Sequence, residues 1–63
     1  MNLYIARDKD ESLYLYKYKP EKYNAVWSDC LGFMEKLDSN LFPEVKWEDK
    51  EPTEVELVIK KKI

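Results

Sequence analysis

The stretch Leu3-Tyr4-Ile5-Ala6-Arg7-Asp8-Lys9-Asp10-Glu11-Ser12-Leu13-Tyr14-Leu15-Tyr16-Lys17-Tyr18 decides the fold. From Leu3 to Arg7, and again from Ser12 to Tyr18, the side chains alternate with period two. Odd positions carry Leu3, Ile5, Leu13 and Leu15; even positions carry Tyr4, Ala6, Tyr14, Tyr16 and Tyr18. Successive side chains of a strand point to opposite faces, so this alternation predicts two strands joined by polar turn residues. A three-residue loop, Lys9 to Glu11, keeps the parity: it sets Ile5 opposite Leu15 and Tyr4 opposite Tyr16. Such a loop places its last residue in the left-handed region, which favours glycine. Glu11 in that place should cost about 1 kcal/mol.

Both faces of this ribbon are apolar. One must be covered by residues 21–47, which leaves the other partly available as a contact surface.

Outward from the hairpin the reading branches. Tyr23, Val26, Trp27, Cys30, Leu31, Met34 and Leu37 recur at helical spacing, but two short strands around Asp29 to Gly32 fit the same residues. Asp38 to Pro43 predicts a short helical turn, capped by Asp38 or Ser39 and ended near the proline. Val45 to Glu48 reads as a brief extended piece and Asp49 to Pro52 as a turn. Thr53 to Lys60 is a strand, with Thr53, Val55, Leu57 and Ile59 inward and Glu54, Glu56 and Lys60 outward. The expected architecture is therefore one domain over residues 1–63, mainly β, with an antiparallel sheet of four to five strands and a short helical turn. The alternative is an α+β fold with one helix at about 21–37.

The chain has 63 residues, no histidine, one cysteine and one glycine. Histidine is the readiest proton carrier near neutral pH and the commonest metal ligand. Its absence, with a single thiol lacking any partner set, argues against enzyme, zinc and disulfide readings. A domain this short buries only about 60% of its unfolded surface, so two Trp, five Tyr and two Phe must supply much of the packing. Trp27 and Trp47 read as core anchors, and Cys30 as a buried thiol. No basic start with an apolar run suggests a secretory signal, and no stretch approaches the about 20 apolar residues of a membrane span. A lone thiol fits a cytoplasmic location.

Charge is unevenly spread. Residues 1–34 balance five acids with five bases, residues 35–57 carry eight acids against three lysines, and residues 58–63 end on Lys60, Lys61 and Lys62. The three lysines read as a tail too short for a targeting signal. Asp8 and Asp10 hint at a calcium loop, but Leu13 stands where that loop needs glycine and Lys19 where it needs a carboxylate.

Two blocks carry a resemblance. One is Leu3-Tyr4-Ile5-Ala6-Arg7-Asp8-Lys9-Asp10 with Leu13-Tyr14-Leu15-Tyr16 and Lys19-Pro20. The other runs from Leu37-Asp38-Ser39-Asn40-Leu41-Phe42-Pro43-Glu44-Val45-Lys46-Trp47-Glu48-Asp49 through Glu51-Pro52-Thr53-Glu54-Val55-Glu56-Leu57. Together, over about two thirds of the chain, they resemble a group of short uncharacterised proteins of bacteriophages and of gut bacteria carrying mobile elements. Members tend to have glycine after the Asp-Lys-Asp turn, where this chain has Glu11. Their middle segment often holds turn residues, which favours a second hairpin over a helix. The group has no assigned activity, so no site residue is carried over. The resemblance implies a tiny phage-type protein that binds and blocks a host protein.

The function expected is thus non-catalytic binding: an accessory protein that docks on, and inhibits, a host defence protein, with no cofactor and no metal. Tyr4, Tyr14, Tyr16 and Tyr18 are the candidate anchors, because tyrosine buries a large ring and keeps a polar handle. Glu48, Asp49 and Glu51 are candidates for steering a basic partner. Two rival readings are a single-stranded nucleic-acid module that stacks bases on the tyrosine face and a structural subunit of a homo-oligomer.

Overall fold

The computed structural model describes residues 2–29, 31–32 and 34–56. Cys30 and the tail lysines lie outside them, as do Leu57 to Lys60 of the expected last strand. The elements in chain order are β1 (Asn2–Arg7), β2 (Leu13–Tyr16), β3 (Glu21–Tyr23), β4 (Val26–Ser28), β5 (Met34–Leu37) and β6 (Thr53–Glu56). β5, β2, β1 and β6 form one antiparallel sheet in that order, and β3 pairs with β4 in a separate two-stranded hairpin. The described residues are all-β, without a helix.

The first hairpin has the predicted register, with Tyr4 opposite Tyr16 and Ile5 opposite Leu15. Its loop closes through Glu11 N–H donating to Asp8 O at 3.0 Å and Asp8 N–H donating to Ser12 O at 2.8 Å. The Asp10 carboxylate accepts from Ser12 N–H at 2.9 Å. Glu11 takes φ 78, the left-handed conformation the loop demands.

Between residues 21 and 37 the described elements are the strands β3, β4 and β5, which overturns the helical alternative. The turn of the second hairpin also lies elsewhere than expected. It falls at Asn24-Ala25, with Tyr23 opposite Val26, and not at Asp29 to Gly32. Asn24 has φ 39, and asparagine tolerates the left-handed region better than most residues. The next strand, β5, does not join this hairpin but crosses to pair with β2, Met34 opposite Tyr16 and Leu37 opposite Leu13. Helical spacing misleads here because its apolar positions do not face one core: Trp27 is buried and Leu37 half-buried, whereas Tyr23, Val26, Leu31 and Met34 are exposed.

Two other expectations fail locally. Asp38 to Leu41 is a hydrogen-bonded turn, Leu41 N–H to Asp38 O at 3.0 Å, and not a helical one. Asp38 does act as its cap, its carboxylate accepting from Asn40 N–H at 2.8 Å. Val45 to Glu48 is not extended. Lys46 and Asp49 close a turn there, with Asp49 N–H donating to Lys46 O and the Asp49 carboxylate accepting from Lys46 N–H.

The sheet has an apolar cluster on each face. Ile5, Leu13 and Val45 are buried on the odd-numbered face, flanked by Leu15, Leu37 and Val55. Ala6, Tyr16 and Trp27 are buried on the even-numbered face, flanked by Tyr4, Tyr14 and Trp47. The β3–β4 hairpin covers the tyrosine face. A strap, residues 39–45, crosses one end of the leucine face.

A buried cation holds that strap. Arg7, at odd parity, is only 6% exposed. Its Nε donates to Val45 O at 2.7 Å, Nη1 to Glu11 O and Ser39 O at 2.9 Å each, and Nη2 to Leu41 O at 2.9 Å and Phe42 O at 3.2 Å. A guanidinium has five N–H groups, and each is matched with a backbone carbonyl. The next residue, Asp8, fixes the other layer. Its Oδ1 accepts from Trp27 N–H at 2.8 Å, and Lys9 N–H donates to Ala25 O at 3.1 Å. The step from Arg7 to Asp8 therefore ties both coverings to one hairpin.

Candidate functional site

The four candidate tyrosines do not share one environment. Tyr16 has no exposed surface, and its hydroxyl donates to Trp27 O at 3.0 Å. It is a core residue, which removes it from any contact surface. Burial raises its pKa, with the nearby Asp8 charge adding to the effect, so the phenol stays neutral. Tyr14 packs its ring 6.3 Å from that of Tyr16, tilted by 52°, and is half-buried. Tyr4 is half-buried against the same cluster. Only Tyr18, beyond the end of β2, is well exposed, at 42%. The tyrosine face is the inner, covered face, so it offers no row of rings for bases to stack on.

The expectation of a partly shielded ribbon applies instead to the leucine face. A cleft of about 390 Å³ opens there, lined by Leu3, Ile5, Leu15, Leu37, Phe42 and Val55, with Glu56 at its margin. Sequence reading missed it because leucine and valine signal core more strongly than surface. One clue was available: Arg7 continues the leucine-face parity, and a charged residue in an inward position needs backbone partners from a loop laid over that face.

The acidic candidates divide similarly. Asp49 is half-buried and spends its carboxylate on the Lys46 turn. Glu48 is exposed. Glu51 is exposed and lies 3.4 Å from the ammonium of Lys19. Since Lys19 follows Tyr18, this pair brings the exposed tyrosine and the acidic run to the same part of the surface. Lys17 Nζ sits 5.6 Å from the centre of the Tyr18 ring.

Lys22 is a further cationic feature. Its Nζ lies 5.1 Å from the Trp27 ring and 4.2 Å from the Trp47 ring, and it donates to Trp47 O. The ammonium holds the β3–β4 hairpin against the turn that carries Trp47. Both tryptophans serve packing, as their sequence positions suggested. A second, polar depression of about 460 Å³ lies between the first loop and the end of β5, lined by Asp10, Glu11, Ser12, Lys36, Asp38 and Ser39 among others. Asp10 and Asp38 are engaged there in capping their own turns. Among the described residues no three carboxylate, cysteine or histidine side chains converge as a metal site would require, and no helix is long and apolar enough to cross a membrane.

Comparison with protein-family models, with curated proteins and with solved structures finds no match in any of the three.

Proposed function

We propose that this chain is a non-catalytic binding protein, an accessory of a phage or mobile element that docks on a host protein in the cytoplasm and inhibits it. The observation that carries the reading is the Lys19–Glu51 contact. It supports the reading by setting Tyr18, whose ring is exposed, near a stretch rich in carboxylates. An exposed ring bordered by Lys17 and Lys19 and, through Glu51, by carboxylates suits a partner surface that combines apolar contact with complementary charge, the charges steering approach and the ring supplying contact energy. The exposure of further large apolar side chains, Tyr23, Val26, Leu31, Leu41 and Phe42 among them, supports contact as the working mode. So does the resemblance to phage proteins.

Affinity capture from a bacterial host lysate, followed by association kinetics with the captured protein, tests this. Tyr18→Ala is expected to weaken the complex by about tenfold or more, the scale of an aromatic hot spot. Glu48→Lys with Glu51→Lys is expected to slow association at low salt and to flatten its salt dependence. A complex indifferent to all three changes rejects the surface, and the absence of any captured partner rejects the function. The nucleic-acid reading is disfavoured by the burial of Tyr16 and by the acidic surface. Gel shifts with single-stranded DNA and RNA at two salt concentrations check it. Light scattering checks the homo-oligomer.

A further inference from the structure

We infer that Trp27 and Trp47, with the Trp47 carbonyl, form a binding site for an alkylammonium group, filled from within the chain by Lys22 and open to an external methylated ammonium in its place. The site is independent of the docking reading. Three observations carry it. First, one ammonium is shared by both tryptophans of the chain. Lys22 Nζ lies 4.2 Å from the centre of the Trp47 ring and 5.1 Å from that of Trp27. Indole is the best of the side-chain rings for a cation, and both distances fall within the about 6 Å reach of the attraction. The Trp47 carbonyl accepts from the same nitrogen. Two rings and one oxygen around a single charge make a cage, and its occupant states the chemistry it takes.

Second, the cage holds its cation without a carboxylate. Among the described residues Lys22 makes no ion pair. Ring faces attract a cation whether or not it has hydrogens to donate. A primary ammonium is compact and strongly hydrated, so it gives up much water on entering. A methylated one gives up less, and what it forgoes is a single hydrogen bond to Trp47 O. Quaternary ammonium groups are the ligands that aromatic cages select.

Third, the occupant can leave. Lys22 stands directly across from Trp27 in the β3–β4 pair, on the same side of the hairpin. With it in place Trp27 is only 3% exposed. Yet Lys22 itself is exposed, as are its strand neighbours Glu21 and Tyr23, and Trp47 is half-buried. The cage therefore opens to water on the side from which Lys22 enters. The side chain can swing out while β3 keeps its main-chain pairing with β4.

The test uses NMR on the full chain, whose two tryptophan indole N–H resonances both report on the cage. Choline, a peptide carrying one trimethyllysine, and the neutral carbon isostere of choline are titrated into the unaltered protein and into Lys22→Ala. Choline or the peptide is expected to shift both indole resonances saturably. Either is expected to bind Lys22→Ala at least about tenfold more tightly, since the tethered amine competes at an effective concentration on the order of millimolar. Tighter choline marks a free small molecule as the ligand, and a tighter peptide marks a methylated protein side chain. The neutral isostere is expected to give no saturable shift. Its binding as well as choline overturns the inference, because it reduces the site to an apolar crevice. So does the lack of a saturable shift in both proteins, and so does a response confined to Lys22→Ala, which makes Lys22 a fixed part of the fold. If Lys22→Ala loses its native spectrum, reductive methylation of the intact protein with isotope-labelled formaldehyde decides instead. The dimethylammonium signal missing from Lys22→Arg identifies Lys22, and ring currents are expected to move it upfield of the other lysines. A Lys22 signal at the ordinary position rejects the cage.

Discussion

Glu11 occupies a conformation in which an L side chain crowds its own backbone, and nothing in its surroundings requires a glutamate. Its backbone serves the fold, the carbonyl accepting from Arg7 Nη1 and the N–H donating to Asp8 O, and glycine supplies both groups. Glu11→Gly is therefore expected to stabilise the protein by about 1 kcal/mol. In a domain of this size that raises the thermal midpoint by about 4–8 °C, measurable by circular dichroism. Arg7 is the opposite case. Lysine has three donors on one nitrogen and cannot reach five carbonyls set around a planar fork. Hydrogen bonds to a charged group contribute about 1.5–3 kcal/mol each. Arg7→Lys is expected to cost at least about 3 kcal/mol, read as a lowered midpoint in urea, with Arg7→Met at least as damaging. The sequence marked Glu11 as strained, because loop length alone sets that requirement. It did not mark Arg7 as buried, because four of the five carbonyls that make its burial tolerable come from residues 32 to 38 positions further on.

At the scale of the element, the β3–β4 hairpin depends on polar ties to the sheet. Asp8 supplies one of them, and burial raises its pKa more than the Trp27 N–H bond lowers it, with the Asp10 charge adding to the rise. A raised carboxyl pKa means the folded state holds the proton more tightly than the unfolded one. The associated stability is complete below the ordinary aspartate value and is lost as pH rises through the folded value. At neutral pH the ionised carboxylate is thus a net cost. Asp8→Asn keeps an oxygen for Trp27 N–H. It is expected to match or exceed the unaltered protein in stability at pH 7, and the difference should shrink as pH falls towards 4 in a series of thermal melts. Parity read from the sequence gave the first hairpin its register, because the turn length is short and the hydrophobic pattern is strict. The second hairpin was misplaced since β4 and β5 belong to different sheets, and a turn at Asn24-Ala25 has no signal stronger than one asparagine.

For the whole molecule, Tyr16 joins the sheet to its cover through one buried hydroxyl, and its pKa lies well above the ordinary tyrosine value of about 10. The sign here gives full stability below pH 10 and a progressive loss above it, as the unfolded state releases a proton that the folded state retains. Tyr16→Phe is expected to lower stability at pH 7 by about 1–3 kcal/mol, because it leaves the Trp27 carbonyl without its donor. It should also make the decline above pH 10 shallower, followed by fluorescence during alkaline titration. Sequence patterning foretold two apolar faces but not which would stay accessible, since that depends on where the two coverings land. The grip of Arg7 on the strap has an evolutionary consequence. Its acceptors at positions 39, 41, 42 and 45 are main-chain oxygens, present in every amino acid. Selection can therefore rewrite the outward side chains of that segment without loosening its attachment, as antibody-like scaffolds vary their loops. A protein built this way can change what that segment presents while the framework beneath stays unchanged.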